Sequence, residues 1–246
     1  MGVRLCVNAK MENVTNKLNI LDDLKLFKLN SGYFDKVKVE YIGDSKTPVY
    51  IIDDFYENIP EIKKFIFNLP FFEKRFKDNF PGLRIELHLN ILFEIYHMLK
   101  KLFKNYHLPI DVVKHPPSNC FNLMYSNVDR HNSQTIPHVD IGNYAGVVYL
   151  NDTIDCKGGT SFYKHKSSSK EVIENKEEVM DIMTKIDIEK LSGEWLVDTN
   201  NEWELLHLVP MKFNRAIFYP SSIFHSAYIK ENYFTETYRL TQSIFF

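Results

Sequence analysis

His138-Val139-Asp140 and a distant, isolated His225 are the residues of this chain best suited to chemistry. In an extended strand successive side chains alternate faces, so His138 and Asp140 project to the same side. Two neutral imidazoles and one carboxylate fill one face of an octahedral metal ion and leave up to three positions open. This is the donor set by which non-haem Fe(II) activates oxygen. A three-residue pattern recurs by chance, so its surroundings carry the weight. For any one of the nine histidines a packing or surface role is the ordinary expectation. His225 differs in following a β-patterned run that ends Phe218-Tyr219-Pro220 and in sitting within Phe224-His225-Ser226-Ala227. Of the competitors, His131 falls too early and His165 borders a charged segment. His207 faces inward only if Trp203 and Leu205 do.

The elements that must position these residues follow from periodicity. Val37–Ile42 and Val49–Ile52 flank Gly43-Asp44-Ser45-Lys46-Thr47 and read as a β-hairpin. Residues 58–68 place Ile59, Ile62, Phe65 and Ile66 on one helical face, with Pro70 as the stop. The strongest helical pattern spans Ile85 to Tyr106, through Leu87, Ile91, Leu92, Ile95, Leu99 and Leu102. From Asn119 onward β-patterned runs dominate: 119–126, 144–151, 159–163, 203–209, 215–219, 224–229 and 236–245. Gly158-Gly159 serves backbone geometry at a strand entry and does not resemble a phosphate loop. Between the runs, a charged stretch opens at Ser167-Ser168-Ser169 and runs to Lys190, with Val172, Ile173, Val179, Ile182 and Met183 on a helical period that makes only a weak apolar face. It reads as an insert, either surface decoration or a mobile lid with little burial of its own. Residues 1 to about 35 read as an irregular arm.

Composition removes several function classes. A chain of 246 residues with 44% hydrophobic content, 19 Phe and 14 Tyr can bury one large core. A net charge of -2 fits neither a basic nucleic-acid binder nor an acidic tail. Lys74-Arg75-Phe76-Lys77 and the lysines between Lys100 and Lys104 read as solvated faces. Cys6, Cys120 and Cys156 make neither a disulfide framework nor a C-x-x-C zinc site. No apolar run reaches membrane-spanning length, and Met1-Gly2 is followed by Cys6 where myristoylation wants Ser or Thr. The expectation is a cytoplasmic protein, in a reducing setting that suits ferrous iron.

The order of motifs is more specific. After His138-Val139-Asp140 come Val148-Tyr149-Leu150-Asn151, Gly158-Gly159-Thr160-Ser161-Phe162, Arg215-Ala216-Ile217-Phe218-Tyr219-Pro220, Phe224-His225 and Tyr238-Arg239-Leu240-Thr241. In this order the chain resembles the Fe(II)/2-oxoglutarate-dependent dioxygenases, especially the prolyl-hydroxylase-like branch. Val49-Tyr50-Ile51-Ile52-Asp53-Asp54-Phe55-Tyr56 and Phe80-Pro81-Gly82-Leu83-Arg84 resemble a poorly characterised, largely phage-associated set of them. The resemblance covers roughly residues 48–246.

It implies an α+β, mainly β fold, a double-stranded β-helix (jelly roll) with buttressing N-terminal helices. The chain would form a single domain over 1–246. Residues 1–115 would supply the arm, hairpin and helices, and 116–246 the core with insert 164–194. His138, Asp140 and His225 would hold Fe(II). Arg239 and Thr241, on one strand face, would grip the distal carboxylate of 2-oxoglutarate, because a guanidinium offers a carboxylate a planar fork. Apolar neighbours Leu240, Ile244 and Phe245 suggest a buried strand, where an unpaired charge is costly. Asn122 and Tyr125 are further cosubstrate candidates, with a core tyrosine the plainer role for the second. Arg215 fits either substrate binding or a hairpin turn. The implied reaction is oxygen-dependent hydroxylation of a substrate, with a protein side chain ahead of a nucleobase or small metabolite. A non-catalytic metal-binding barrel and a cupin-like metalloenzyme without an oxoacid are the rival readings. Dioxygen and an unidentified substrate are the expected partners; nucleic acid stays open and a membrane does not enter.

Overall fold

The computed structural model describes residues 20–69, 72–73, 82–106, 117–125, 136–140, 142–175, 178, 181–182 and 196–246. Met1, Gly2, Cys6, Lys74–Lys77 and His131 lie outside them. The described residues are mostly β, arranged as two antiparallel sheets with helices on one side.

The hairpin forms as the sequence predicts, with β1 (Val37–Ile42) paired to β2 (Thr47–Ile52). A left-handed Gly43 and Lys46 turn the chain between them. Next come α2 (Ile59–Phe67), after a short α1 (Ile20–Leu26), then β3 (Phe72–Glu73), β4 (Leu83–Glu86) and α3 (Ile91–Leu102). The predicted arm thus contains a helix where described. The long helical pattern from Ile85 begins six residues late, because Leu83–Glu86 pair with the following strand and Leu87 N–H donates to Asn119 O. A sheet partner overrides local periodicity there. The remaining strands are β5 (Ser118–Met124), β6 (Tyr144–Tyr149), β7 (Gly159–His165), β8 (Trp203–Pro210), β9 (Ala216–Pro220), β10 (His225–Tyr228) and β11 (Arg239–Phe245), close to the seven expected runs.

The large sheet runs β1-β2-β9-β6-β11-β5-β4-β3 and the small one β10-β7-β8. Strand alternation divides the large sheet cleanly. Phe121, Leu123, Val148, Phe218, Leu240 and Ile244 face α2 and α3, packing on Ile62, Ile66, Ile91, Ile95 and Leu99. Val49, Ile51, Met124, Ala145, Tyr149, Ile217 and Tyr219 face the small sheet, meeting Phe162 and Val209. That second interior holds the polar residues discussed below.

The charged segment after β7 departs from expectation where it is described. Ile173 is fully buried and Ile182 nearly so, in a cluster with Tyr163, Trp203 and Phe224. Phe224 N–H donates to Glu171 O and Ile173 N–H to Ser222 O, so residues 171–173 pair with the segment that leads into His225. The Glu171 carboxylate accepts the backbone N–H groups of Asp44 and Ser45 at the β1–β2 turn (3.0 and 2.9 Å). This part is a fastened strap, not a weakly buried lid; residues 183–195 lie outside the described ones.

Gly158 has φ +72°, and a side chain there would run into the Tyr228 carbonyl oxygen. Gly158→Ala should therefore lower stability by about 1–3 kcal/mol through strain and overpacking. Urea denaturation of the variant beside the wild type checks this, and equal midpoints would contradict it.

Candidate metal and anion site

His138 and His225 reach the same point through backbone pairing. The two residues exchange both N–H···O bonds, 3.0 Å from His138 N to His225 O and 2.9 Å in return. Asp140 N–H then donates to Ser221 O at 2.9 Å, extending residues 138–140 alongside the free edge of β10. Alternation brings the Asp140 carboxylate beside both rings. Its Oδ2 lies 3.0 Å from His225 Nε2 and its Oδ1 3.9 Å from His138 Nε2.

The other ring nitrogens are committed. His138 Nδ1 is 3.0 Å from Ile136 O, and His225 Nδ1 is 3.0 Å from Ile223 O. A carbonyl only accepts, so each Nδ1 carries a proton and each Nε2 is the nitrogen turned toward Asp140, where it can bear a second proton or, once that is lost, offer a lone pair. Backbone carbonyls serve this orienting role in metal-bound histidines generally. One donor atom from each of the three residues falls within 4.8 Å of the others. Metal–ligand bonds of about 2.1 Å at right angles put donors about 3 Å apart, so small side-chain adjustments would close them on one ion. This trio is the metal-capable group found among the described residues.

Electrostatics agree. Burial is the largest influence on His138 and, with the nearby His225 charge, holds its pKa below the usual histidine range. Burial also disfavours the charged form of His225, but the charge and hydrogen bond of Asp140 outweigh it and the net shift is upward. For Asp140 burial pushes upward, and His225 and His138 more than reverse that. Without metal, the His225 proton bridges to Asp140; a divalent cation would take its place.

Arg239 opens β11 and is 5% exposed. A terminal nitrogen makes a long donor contact, 3.4 Å to Gly159 O, and its buried Nε has no partner among the described residues. No carboxylate pairs with it among the described residues. Its guanidinium carbon sits 5.7 Å from the centre of the Tyr149 ring. Burial lowers its pKa, with Tyr149 and Tyr219 opposing. Thr241, two residues on and on the same face, is likewise buried.

The remaining candidates fare differently. Asn122 is buried opposite Thr241, but its amide is engaged: Oδ1 accepts from Arg84 Nε at 2.7 Å and Nδ2 donates to Ser243 Oγ at 2.9 Å. It braces the site and is not a ready cosubstrate donor. Tyr125 is 38% exposed just beyond β5 and packs edge-on against Tyr238, on the helix side. It does not join the site. Arg215 is tied to Asp53 (Nε to Oδ1 2.6 Å) beside a left-handed Asn214, the turn reading. His207 pairs with Glu40 at 2.6 Å, and His165 is buried against Ser168 and Trp203. Neither reaches the trio.

Three residues join the interior without having been assigned a role from sequence. Tyr149 is fully buried, its hydroxyl 2.7 Å from Thr160 Oγ1. Tyr219 packs its ring 4.8 Å from that of His225. Arg84 is half-buried opposite Asn122, close enough to act electrostatically on His138 and Asp140. The available signal was alternation: Tyr149 shares a face with Val147 and Ala145, and Tyr219 with Ile217.

Residues 35–246 match the family model described as "Family of unknown function (DUF6445)". The chain belongs to that family. No functionally curated protein matches it. Among solved structures, it is similar to the non-heme alpha ketoglutarate dependent carbocyclase SnoK from nogalamycin biosynthesis at 10% identity (88% of this chain, 83% of that chain, TM-score 0.41). It is also similar to HygX from Streptomyces hygroscopicus, solved with iron bound, at 14% identity (80% and 81%, TM-score 0.36). A third is IDO from Bacillus thuringiensis at 10% identity (92% and 81%, TM-score 0.33). Overlaps this loose carry no reading of activity or substrate. Among the described residues no helix is long and apolar enough to cross a membrane.

A buried guanidinium without an acidic partner costs stability in the ligand-free protein. Arg239→Met, similar in length and apolar, should raise ligand-free stability by roughly 1 kcal/mol or more. Chemical denaturation reads the change; a clear loss would show that the cation is structurally compensated.

Proposed function

We propose that this protein is an Fe(II)- and 2-oxoglutarate-dependent oxygenase of the prolyl-hydroxylase-like branch. Its two sheets would form a double-stranded β-helix within one domain. The observation that carries the reading is the presence of two unsatisfied demands in one interior. Three pre-oriented donors converge on one point, and a buried cation faces the same interior with no carboxylate paired to it among the described residues. A divalent metal answers the first demand and a dicarboxylic oxoacid the second.

His138, Asp140 and His225 would hold Fe(II), and Arg239 with Thr241 would hold the distal carboxylate of the oxoacid. The fit is chemical as well as geometric: two imidazoles and a carboxylate suit Fe(II), and the orphaned Arg239 Nε suits a carboxylate oxygen. When bound, the iron and oxoacid supply oxidative decarboxylation to succinate and carbon dioxide, coupled to insertion of one oxygen atom into a substrate C–H bond. The protein's share is positional. The carbonyls of Ile136 and Ile223 fix the imidazole tautomers. Phe162, Met124 and Tyr219 keep water from the interior between the sheets. His138 and Asp140 side chains retain 26% and 18% exposure against 6% for His225, so the approach lies on the 138–140 side. A half-open approach of this kind accommodates a protein side chain, the substrate class we favour. We place the reaction in the cytoplasm, where iron stays ferrous.

His138→Ala and Asp140→Ala should each abolish stoichiometric Fe(II) binding while leaving the circular dichroism spectrum of the fold. Undiminished iron affinity in both variants would sink the assignment. Arg239→Lys keeps the charge and loses the fork, so oxoacid affinity should fall at least tenfold with iron affinity unchanged.

Metal binding should also be acid-sensitive. The proton on His225 is held to higher pH than usual by Asp140, and Fe(II) must displace it. Affinity should therefore climb as pH rises through the His225 pKa and level off above it. Anaerobic iron titrations across pH 5.5–8.5 (about the histidine range) test this, and a flat profile would rule it out.

A further inference from the structure

β1 forms one end of the large sheet and is paired, to β2, along one side only. Its other edge has no backbone partner among the described residues. Edge strands are ordinarily kept short or covered, because their open N–H and C=O groups invite another strand. At the far end of the sheet β3 is two residues long, whereas β1 runs for six. β1 also carries apolar side chains into solvent, with Val39 41% exposed and Tyr41 62%. Both lie on the helix side, opposite Tyr50 and Pro48, and the Tyr50 hydroxyl donates to Leu102 O at the end of α3. Phe34, just ahead of β1 and beneath Lys101 of α3, is exposed on the same side. The opposite face of β1 bears Lys38, exposed and unpaired among the described residues, and Glu40, which meets His207 of β8 at 2.6 Å.

We propose that this edge joins two copies of the chain, β1 pairing antiparallel with the partner's β1 so that the two large sheets become one. A two-fold axis perpendicular to the sheet sets each residue opposite one on the same face, so one residue must face its own copy. With Val39 on the axis, Lys38 lies opposite the partner's Glu40, and Glu40 opposite the partner's Lys38. On the helix side Val39 meets its own copy and Val37 meets the partner's Tyr41, a favourable β-branched and aromatic pair. Centring on Lys38 or Glu40 would set like charges face to face, and centring on Val37 or Tyr41 would leave fewer residues overlapping. A lysine within an edge strand ordinarily wards pairing off. Here the symmetry that repeats the lysine also places an acid in front of it. The contact is small, so association is weak, with a Kd on the order of 10 µM.

Sedimentation velocity on the full chain tests this over about 1 to 100 µM, a range that brackets such a Kd. Wild type should pass from monomer to dimer across it. Val39→Lys sets two ammonium groups face to face from an exposed position and should weaken association at least about tenfold. Lys38→Glu and Glu40→Lys should each do the same, because symmetry repeats the repelling contact twice. All three variants should keep the circular dichroism spectrum of the wild type. Mixed in equal amounts, Lys38→Glu and Glu40→Lys should dimerise again, since each copy then meets charges opposite to its own. Damage to folding could not produce that recovery. A wild type that stays monomeric throughout would overturn the proposal. A dimer that Val39→Lys leaves intact would place the contact elsewhere and overturn it too. Failure of the two charge variants to recover on mixing would overturn the pairing centred on Val39.

Discussion

The reciprocal backbone pair between His138 and His225 is the constraint on which the site depends. Two segments far apart in sequence are locked by two N–H···O bonds, and alternation does the rest by setting both imidazoles and Asp140 on one side. The side chains have little freedom left, because each Nδ1 donates to the carbonyl two residues before its own histidine. Orientation that would otherwise cost side-chain entropy is thus fixed by local backbone. The strap at 171–173 and the small sheet hold the His225 side of the pair from two directions, through Phe224 N–H to Glu171 O and the β10–β7 ladder. Glu171 ties that strap to the β1–β2 turn as well, so a residue at the hairpin is mechanically part of the support for a metal ligand.

The two faces of the large sheet divide the labour. The helix face is almost wholly apolar, and burying it provides the stabilisation that lets the other face be polar. On the inner face Arg84, Asn122, Thr241 and Tyr149 form one cross-strand row over four strands, with Arg239 one rung beyond. Such a row is a poor way to build a core, since every member must be satisfied or costs free energy. Asn122 and Tyr149 are satisfied within the protein, whereas Arg239 Nε is not. An unsatisfied buried cation in such a row is the pattern expected where stability is given up for binding.

Much of this was legible in the sequence, for identifiable reasons. The β runs after Asn119 read well because strands buried on both faces are short apolar runs rich in β-branched and aromatic residues, and the trio read well because H-x-D needs only strand alternation. Arg239 was legible through its apolar flanks. Tyr125 misled because a one-residue offset puts a strand residue on the opposite face, and Met124 holds the inner position. The start of α3 misled because β4 owes its existence to β5, a partner invisible to local periodicity. The strap misled because Ile173 reads on a helical period, whereas its burial and that of Glu171 come from extended backbone pairing with residues 222–224 and from the β1–β2 turn. Tyr149 and Tyr219 lay in plain view in the motifs, but only the sheet register shows that their rings share an interior with Arg239.

Charge balance within that interior narrows what can enter it. Asp140 and Arg239 carry opposite charges and cancel as a pair, so a divalent metal on the trio introduces two positive charges into a buried space. In a medium of low effective dielectric such an excess is strongly unfavourable unless anions follow. A monocarboxylate would leave one charge uncompensated and Arg239 unpaired. A dicarboxylic oxoacid brings both negative charges, one end suited to the metal and the other to the guanidinium. The same argument orders the steps. On the oxygenase reading proposed above, a dianion arriving at an empty trio would meet the Asp140 carboxylate with only the His225 proton and the Arg239 guanidinium to offset it, less positive charge than a bound divalent ion would supply, so the oxoacid would follow the metal.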